Sequence, residues 1–120
     1  MSYSMKFEPD LPEHCNIYDR MLCHDLISEL LSSGYSVTVN DGEEDCLEQS
    51  TDFSDILDHM SSSGEDVVFA IDGDGSECGW FYLIYDNGSM GDPMICITDY
   101  SANPLCEGIW NKLDKKHSML

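Results

Sequence analysis

Positive charge is what this chain of 120 residues has least of. Five lysines and arginines stand against 24 aspartates and glutamates, giving a formal charge of -19 and an isoelectric point near 4.1. From Met21 to Asn111 there are 91 residues without one lysine or arginine. That shortage excludes direct binding to nucleic acid or to an anionic membrane, because both need clustered cations. No apolar run approaches the roughly 18 residues of a membrane span. The opening Met1-Ser2-Tyr3-Ser4-Met5-Lys6 lacks the apolar core of an export signal, so a cytoplasmic location is expected. In that reducing compartment the six cysteines are expected as free thiols or metal ligands rather than disulfides. Catalytic motifs are missing too. There is no G-x-S-x-G, no P-loop, no H-E-x-x-H and no dinucleotide fingerprint. With 24 acids some pair of carboxylates always looks plausible, so such pairs carry no catalytic signal. A protein that is not an enzyme and takes no cofactor is the expectation.

What is present argues for a folded chain. Hydrophobic residues make up 42%, too many for disorder, and the length suits one domain over residues 1–120. The cation-free stretch holds 19 acids, whereas ordinary surfaces intersperse both signs. Their mutual repulsion destabilises the compact state. Three accounts compete: a solvated surface without a role, adaptation to salt, and an anionic face that imitates a polyphosphate for a cationic partner. A chain of this length has a radius of gyration of roughly 13–14 Å and is about 35 Å across. Duplex DNA of that length carries about 20 charges, close to the formal charge of the chain.

The pattern alternates helices and strands. Asp10, Pro12 and Glu13 form a helix-start signal, with Ile17, Met21, Leu22, Leu26, Leu30 and Leu31 at helical spacing up to Gly34. A break near Asn16 would divide this helix in two. Tyr35 to Val39 alternates as a strand and runs into a turn at Asn40 to Asp45. Ser50 or Thr51 caps a second helix with Phe53, Ile56, Leu57 and Met60 as its buried stripe. Val67 to Ile71 is a strand with Val67, Phe69 and Ile71 on one face, and Asp72-Gly73-Asp74-Gly75 is a hairpin signal. Trp80 to Tyr85 is apolar or aromatic throughout and reads as a central strand covered on both faces. Asp86-Asn87-Gly88 turns, Met94 to Thr98 is the last strand, and Asn103 with Pro104 opens a third helix. That helix has Leu105, Ile109 and Leu113 on its apolar face and Lys112, Lys115 and Lys116 at its end. Most aromatics are thereby assigned to the core. The fold class expected is α+β: a four-stranded, mainly antiparallel sheet with about three helices packed on it.

Two clusters have the residue types of a metal site. Asp72 to Glu77 is dense in acids, but the twelfth position of an EF-hand loop falls on Leu83, inside a strand. Cys15, Cys23 and His24 approach one another if their helix is continuous, although no C-x2-C spacing occurs. Hairpin turn and ordinary helix are the plainer readings, so no metal is assigned. Cys46, Cys78, Cys96 and Cys106 lie near apolar runs and read as small core hydrophobes.

Small size, extreme acidity, scarce cations and α+β patterning together resemble the small phage and prophage proteins that block host defences, among them DNA-mimic anti-CRISPR and anti-restriction inhibitors. The segment from Tyr35 to Asp52, with its acidic turn, is similar in layout to small prophage-type proteins. The resemblance implies a target among host nucleoproteins, a CRISPR effector or a restriction enzyme, met in the host cytoplasm. The expected partner is thus a basic nucleic-acid-binding protein or nucleoprotein complex. Candidate contacts are the turn acids Asp41, Glu43, Glu44, Asp45 and Glu48, the helix acids Asp52, Asp55 and Asp58, and the loop acids Asp72, Asp74 and Glu77. The alternatives are an acidic adaptor or immunity-type protein for one basic partner, and a small metal-binding protein.

Overall fold

The computed structural model describes residues 15–86 and 93–117. The fold is α+β: three helices pack on a five-stranded antiparallel sheet. In chain order the elements are α1 (Ile17–Ser32), β1 (Ser36–Asn40), β2 (Asp45–Ser50), α2 (Phe53–His59), β3 (Glu65–Ile71), β4 (Glu77–Ile84), a 3-10 turn (Pro93–Cys96), β5 (Ile97–Tyr100) and α3 (Pro104–His117). Across the sheet the strands run β2-β1-β3-β4-β5. The Asp10, Pro12 and Glu13 start signal and the Asn87-Gly88 half of the turn lie outside the described residues.

Local chemistry explains the boundaries. Asn16 caps α1, its Oδ1 accepting from the Asp19 N–H at 2.9 Å. Gly34, at φ +93°, ends it as expected. Asn103 caps α3, accepting from the Cys106 N–H at 2.9 Å. The cap of α2 is Asp52 rather than Ser50 or Thr51; its Oδ1 accepts from the Asp55 N–H at 3.0 Å, while Ser50 Oγ accepts from Asp52 itself.

The sheet has five strands, not four. The added one, β2, is polar and irregular, with register shifts against β1 and a left-handed Gln49 at φ 47°. An edge strand needs no apolar alternation on both faces, so its sequence resembles a loop. The last strand also begins later than expected, at Ile97, because Pro93 to Cys96 winds into a 3-10 turn.

One sheet face carries the core. Val37, Val39, Val68, Ala70, Phe81 and Leu83 lie there, against Leu22, Leu26, Leu30, Ile56, Ile109 and Leu113 from the helices. The rings of Phe81, Tyr100 and Trp110 stack in series, with centroids 6.1 and 6.0 Å apart. At Gly79 the backbone of β4 comes so close to α3 that a Cβ would collide with Cys106 Sγ.

The opposite face carries no helix among the described residues. Strand β4 is paired on both edges, as a central strand should be, but it is not covered on both faces: Trp80, Tyr82 and Ile84 alternate half-buried with buried Phe81 and Leu83. In β3 the face with Val67 and Phe69 is likewise the outer one, and Val68 and Ala70 enter the core. Several aromatics assigned to the core from sequence are therefore on the sheet's outer surface.

Phe81 is fully buried at the centre of the inner face. Phe81→Ala is expected to lower unfolding stability by about 3–5 kcal/mol. Urea denaturation checks this, and a loss below about 1 kcal/mol would show that Phe81 is not central to the core.

Candidate functional site: an acidic surface without cations

Carboxylates outnumber cations, and the chain holds many of them with its own backbone. Asp41 Oδ1 accepts from the N–H groups of Glu43 and Glu44, both at 3.0 Å. Asp72 Oδ1 accepts from Asp74 at 2.9 Å and Ser76 at 3.0 Å. These bonds hold both carboxyls below the usual carboxylate range: at Asp41 the Glu44 bond contributes most, at Asp72 the Ser76 bond. Asp45 Oδ1 accepts from Asn40 Nδ2 at 2.9 Å, closing the same turn as Asp41. Asp55 lies 3.5 Å from His59 Nδ1 within α2.

Two buried carboxylates were not anticipated from sequence. Asp66, fully buried, accepts through Oδ2 from the Ser61 N–H at 2.7 Å and from the Tyr85 hydroxyl. Burial pushes its carboxyl up to about 6, against the opposing effect of those two bonds. Asp19 Oδ2 accepts from the Asp86 N–H at 2.7 Å, and burial raises its carboxyl as well. Ser61 and Asp86 are left-handed, at φ 61° and 54°. Each buried carboxylate thus pins a turn that L-residues seldom adopt. The only hint in the sequence is an acid inside the apolar periodicity of a strand or helix, such as Asp66 before Val67.

The cations are confined. Among the described residues, every lysine and arginine is on α1 or α3. Lys112 pairs with Glu29 at 3.4 Å, and Lys116 with Asp25 at 3.0 Å, where buried His117 also approaches at 2.8 Å. Arg20 donates to the Leu57 carbonyl at 3.1 Å, at the end of α2. No described cation lies on the β1–β2 turn, β2, α2 or the β3–β4 hairpin. On those elements Glu43, Glu44, Glu48, Asp58, Asp74 and Glu77 are exposed, and no described residue holds their side chains by a hydrogen bond or ion pair.

The candidate acids do not form one cluster. Asn40 faces Val67 and Ser36 faces Ile71. The Asp41, Glu43, Glu44 and Asp45 turn is therefore at the Glu65 end of β3. Asp72, Asp74 and Glu77 are at the other end, about 23 Å away along a seven-residue strand. Asp52 lies toward that second end, since Ser50 pairs with Val37, and α2 returns until the His59 carbonyl accepts from Cys46. Asp55 and Asp58 lie along the way.

Three acids border the outer sheet face, and two of them, Glu65 and Asp99, are not among the candidates read from sequence. Glu65, Glu77 and Asp99, of which only Glu77 had been chosen, rim a shallow depression of about 500 Å³ floored by Val67, Phe69, Trp80 and Tyr82. Tyr82 donates its hydroxyl to Glu65 Oε2 at 3.1 Å.

The metal-type clusters do not assemble among the described residues. Among the described residues no group of three or more His, Cys, Asp or Glu side chains is placed to hold an ion. Cys15 and Cys23 share a thiol hydrogen bond that lowers the first thiol and raises the second, while the His24 ring packs edge-on against Phe53. All six cysteines are free; Cys96 and Cys106 are buried, and Cys46 and Cys78 are half-buried. No described helix is long and apolar enough to cross a membrane. Compared with protein-family models, curated proteins and solved structures, the chain matches none.

Asp66 gives stability a pH dependence of known sign. The unfolded chain releases this proton near 3.8, and the folded protein keeps it to about 6. Between those values the folded state holds more protons, so the Asp66 contribution falls as pH rises, by roughly 3 kcal/mol across the window. Asp41 and Asp72 act oppositely and at lower pH: their contribution is present above about 3.8 and is lost as pH falls through their lowered folded values. Urea melts of the wild type should therefore weaken from pH 4 to pH 6. Asp66→Asn, which cannot titrate, should reduce that slope, leaving the share of Asp19, whose raised carboxyl acts in the same direction; parallel slopes would exclude Asp66 as a source.

Proposed function

We propose that this protein acts without catalysis, as an anionic decoy that occupies the cationic nucleic-acid-binding surface of a basic partner. The class its composition resembles makes the partner a host defence nucleoprotein, a CRISPR effector or restriction enzyme, and the protein a phage-type inhibitor working in the host cytoplasm. One observation carries this reading: the lysines and the arginine of the described residues are confined to α1 and α3, and none of them ion-pairs with the unheld carboxylates of the β1–β2 turn, β2, α2 and the hairpin. A surface of this kind offers a partner's lysines and arginines the charge-assisted bonds they otherwise make to phosphates. The dimensions agree with that role. The longest axis is 41 Å, and duplex DNA of that length carries about 24 phosphate charges.

The roles within the acidic set differ. Asp41, Asp52 and Asp72 hold turns and a helix start, so they shape the surface. Glu43, Glu44, Glu48, Asp58, Asp74 and Glu77 are free to meet a partner, and Asp45 and Asp55 keep one oxygen each for it. A groove that engages both the Glu43 end and the Asp74 end must extend over at least the length of β3.

The test is competition on a candidate effector. The protein and duplex DNA should exclude one another, with association fast at low salt and slowed steeply by added salt. Glu43→Lys with Glu44→Lys, and separately Asp74→Lys with Glu77→Lys, should each slow association about tenfold or more and reduce the salt slope, with little change in melting. Unchanged affinity and salt slope in both double variants would overturn the decoy reading. A basic partner that DNA does not displace would place the protein instead among acidic adaptors.

A further inference from the structure

The acidic surface accounts for charge but not for the rings on the sheet's outer face. Phe69 and Trp80 are directly opposed across β3 and β4, as are Val67 and Tyr82. These four are half-buried on a face that no described helix covers, with Glu65, Glu77 and Asp99 around them. Solvated sheet faces normally carry polar residues. A contiguous aromatic floor marks an interaction site, and tryptophan and tyrosine are the residues most enriched among binding hot spots.

The chemistry of the rim selects the occupant. Every charged residue that borders the depression is an acid. The aromatic floor would suit stacked bases, but the rim repels phosphates. An anionic lipid surface is repelled likewise, and a second copy would bring the same acids face to face. A guanidinium satisfies both parts at once. Its plane stacks on an aromatic ring while its edge donates two parallel bonds to a carboxylate. An ammonium satisfies the charge but does not stack in this way.

We propose that the outer sheet face is a docking surface for an arginine-bearing protein segment, with guanidinium groups over Trp80 and Tyr82 paired to Glu65, Glu77 and Asp99. This rests on the reading of the protein as a binder of a basic partner and names the side chains that partner presents. The aromatic floor supplies the apolar centre, and the acids supply the polar rim of an ordinary interface.

Tryptophan emission provides the test. The chain has two tryptophans, so Trp110→Phe leaves Trp80 as the only reporter. Titration with octa-arginine and with octa-lysine at equal ionic strength should perturb Trp80 emission, with octa-arginine binding about two- to five-fold tighter. In the unmodified background, followed by calorimetry, Trp80→Ser should abolish that preference. Glu77→Gln with Asp99→Asn, conservative changes at exposed positions, should weaken octa-arginine several-fold without altering the melting temperature. Equal binding of the two peptides, or a preference untouched by Trp80→Ser, overturns the proposal. So does self-association that Trp80→Ser removes, which would give the face to a second copy. The two readings fail separately. If Glu43→Lys with Glu44→Lys abolishes competition with DNA while Trp80→Ser leaves the arginine preference unchanged, the decoy stands and this surface falls. If the arginine preference depends on Trp80 while DNA competition ignores both acid reversals, the surface stands and the decoy falls.

Discussion

Five aspartates in this protein are held by hydrogen bonds from backbone N–H groups, in a chain with few cations to pair with them. Asp41, Asp52 and Asp72 each accept from N–H groups two to four residues ahead, and these bonds build the β1–β2 turn, the start of α2 and the β3–β4 hairpin. Asp19 and Asp66 do the same from the interior, across 67 and five residues, to hold Asp86 and Ser61 in left-handed turns. The excess of acid is thus partly built into the fold. A charge-assisted bond to N–H contributes about twice a neutral one and requires no long side chain to be ordered. A fold closed in this way tolerates an acidic surface that ion pairing could not neutralise.

What the backbone does not hold is distributed unevenly. The lysines of α3 face the acids of α1, so the helix layer approaches local neutrality near Asp25 and Glu29. The β1–β2 turn, β2, α2 and the hairpin have no such complement. An asymmetric charge distribution of this kind creates a directed field, which is the property a decoy requires for rapid association with a cationic groove. The outer sheet face adds a different kind of surface, a floor of half-buried rings bordered by Glu65, Glu77 and Asp99. The two surfaces meet at Glu65 and Glu77.

The elements with strong local signals were legible without coordinates. Helix α3 follows from Asn103, Pro104 and an apolar face at Ile109 and Leu113; the hairpin follows from Asp72-Gly73-Asp74-Gly75. Strand β2 was not legible, because Asp45 to Ser50 has only Cys46 and Leu47 as apolar residues and is held by pairing with β1. Strand β4 reads from sequence as covered on both faces, whereas in the structure Trp80, Tyr82 and Ile84 are only half-buried. Both β3 and β4 are apolar on both faces around Phe69 and Trp80, and a period of two cannot say which face receives the helices. The half-buried aromatics of the outer face therefore read from sequence as core.

By itself the sequence determined the α+β class, the presence of a single arginine, the helix cap at Asn103, the helix stop at Gly34, and the absence of lysine and arginine over 91 residues. Each depends on neighbours a few positions apart or on composition, which a linear pattern records. Only the tertiary structure decided that Asp66 and Asp19 are buried, that the acidic turn and the acidic hairpin lie at opposite ends of one sheet, and that Trp80 and Tyr82 face outward. Those facts depend on strand order and register between residues far apart in the chain, and no local preference encodes them.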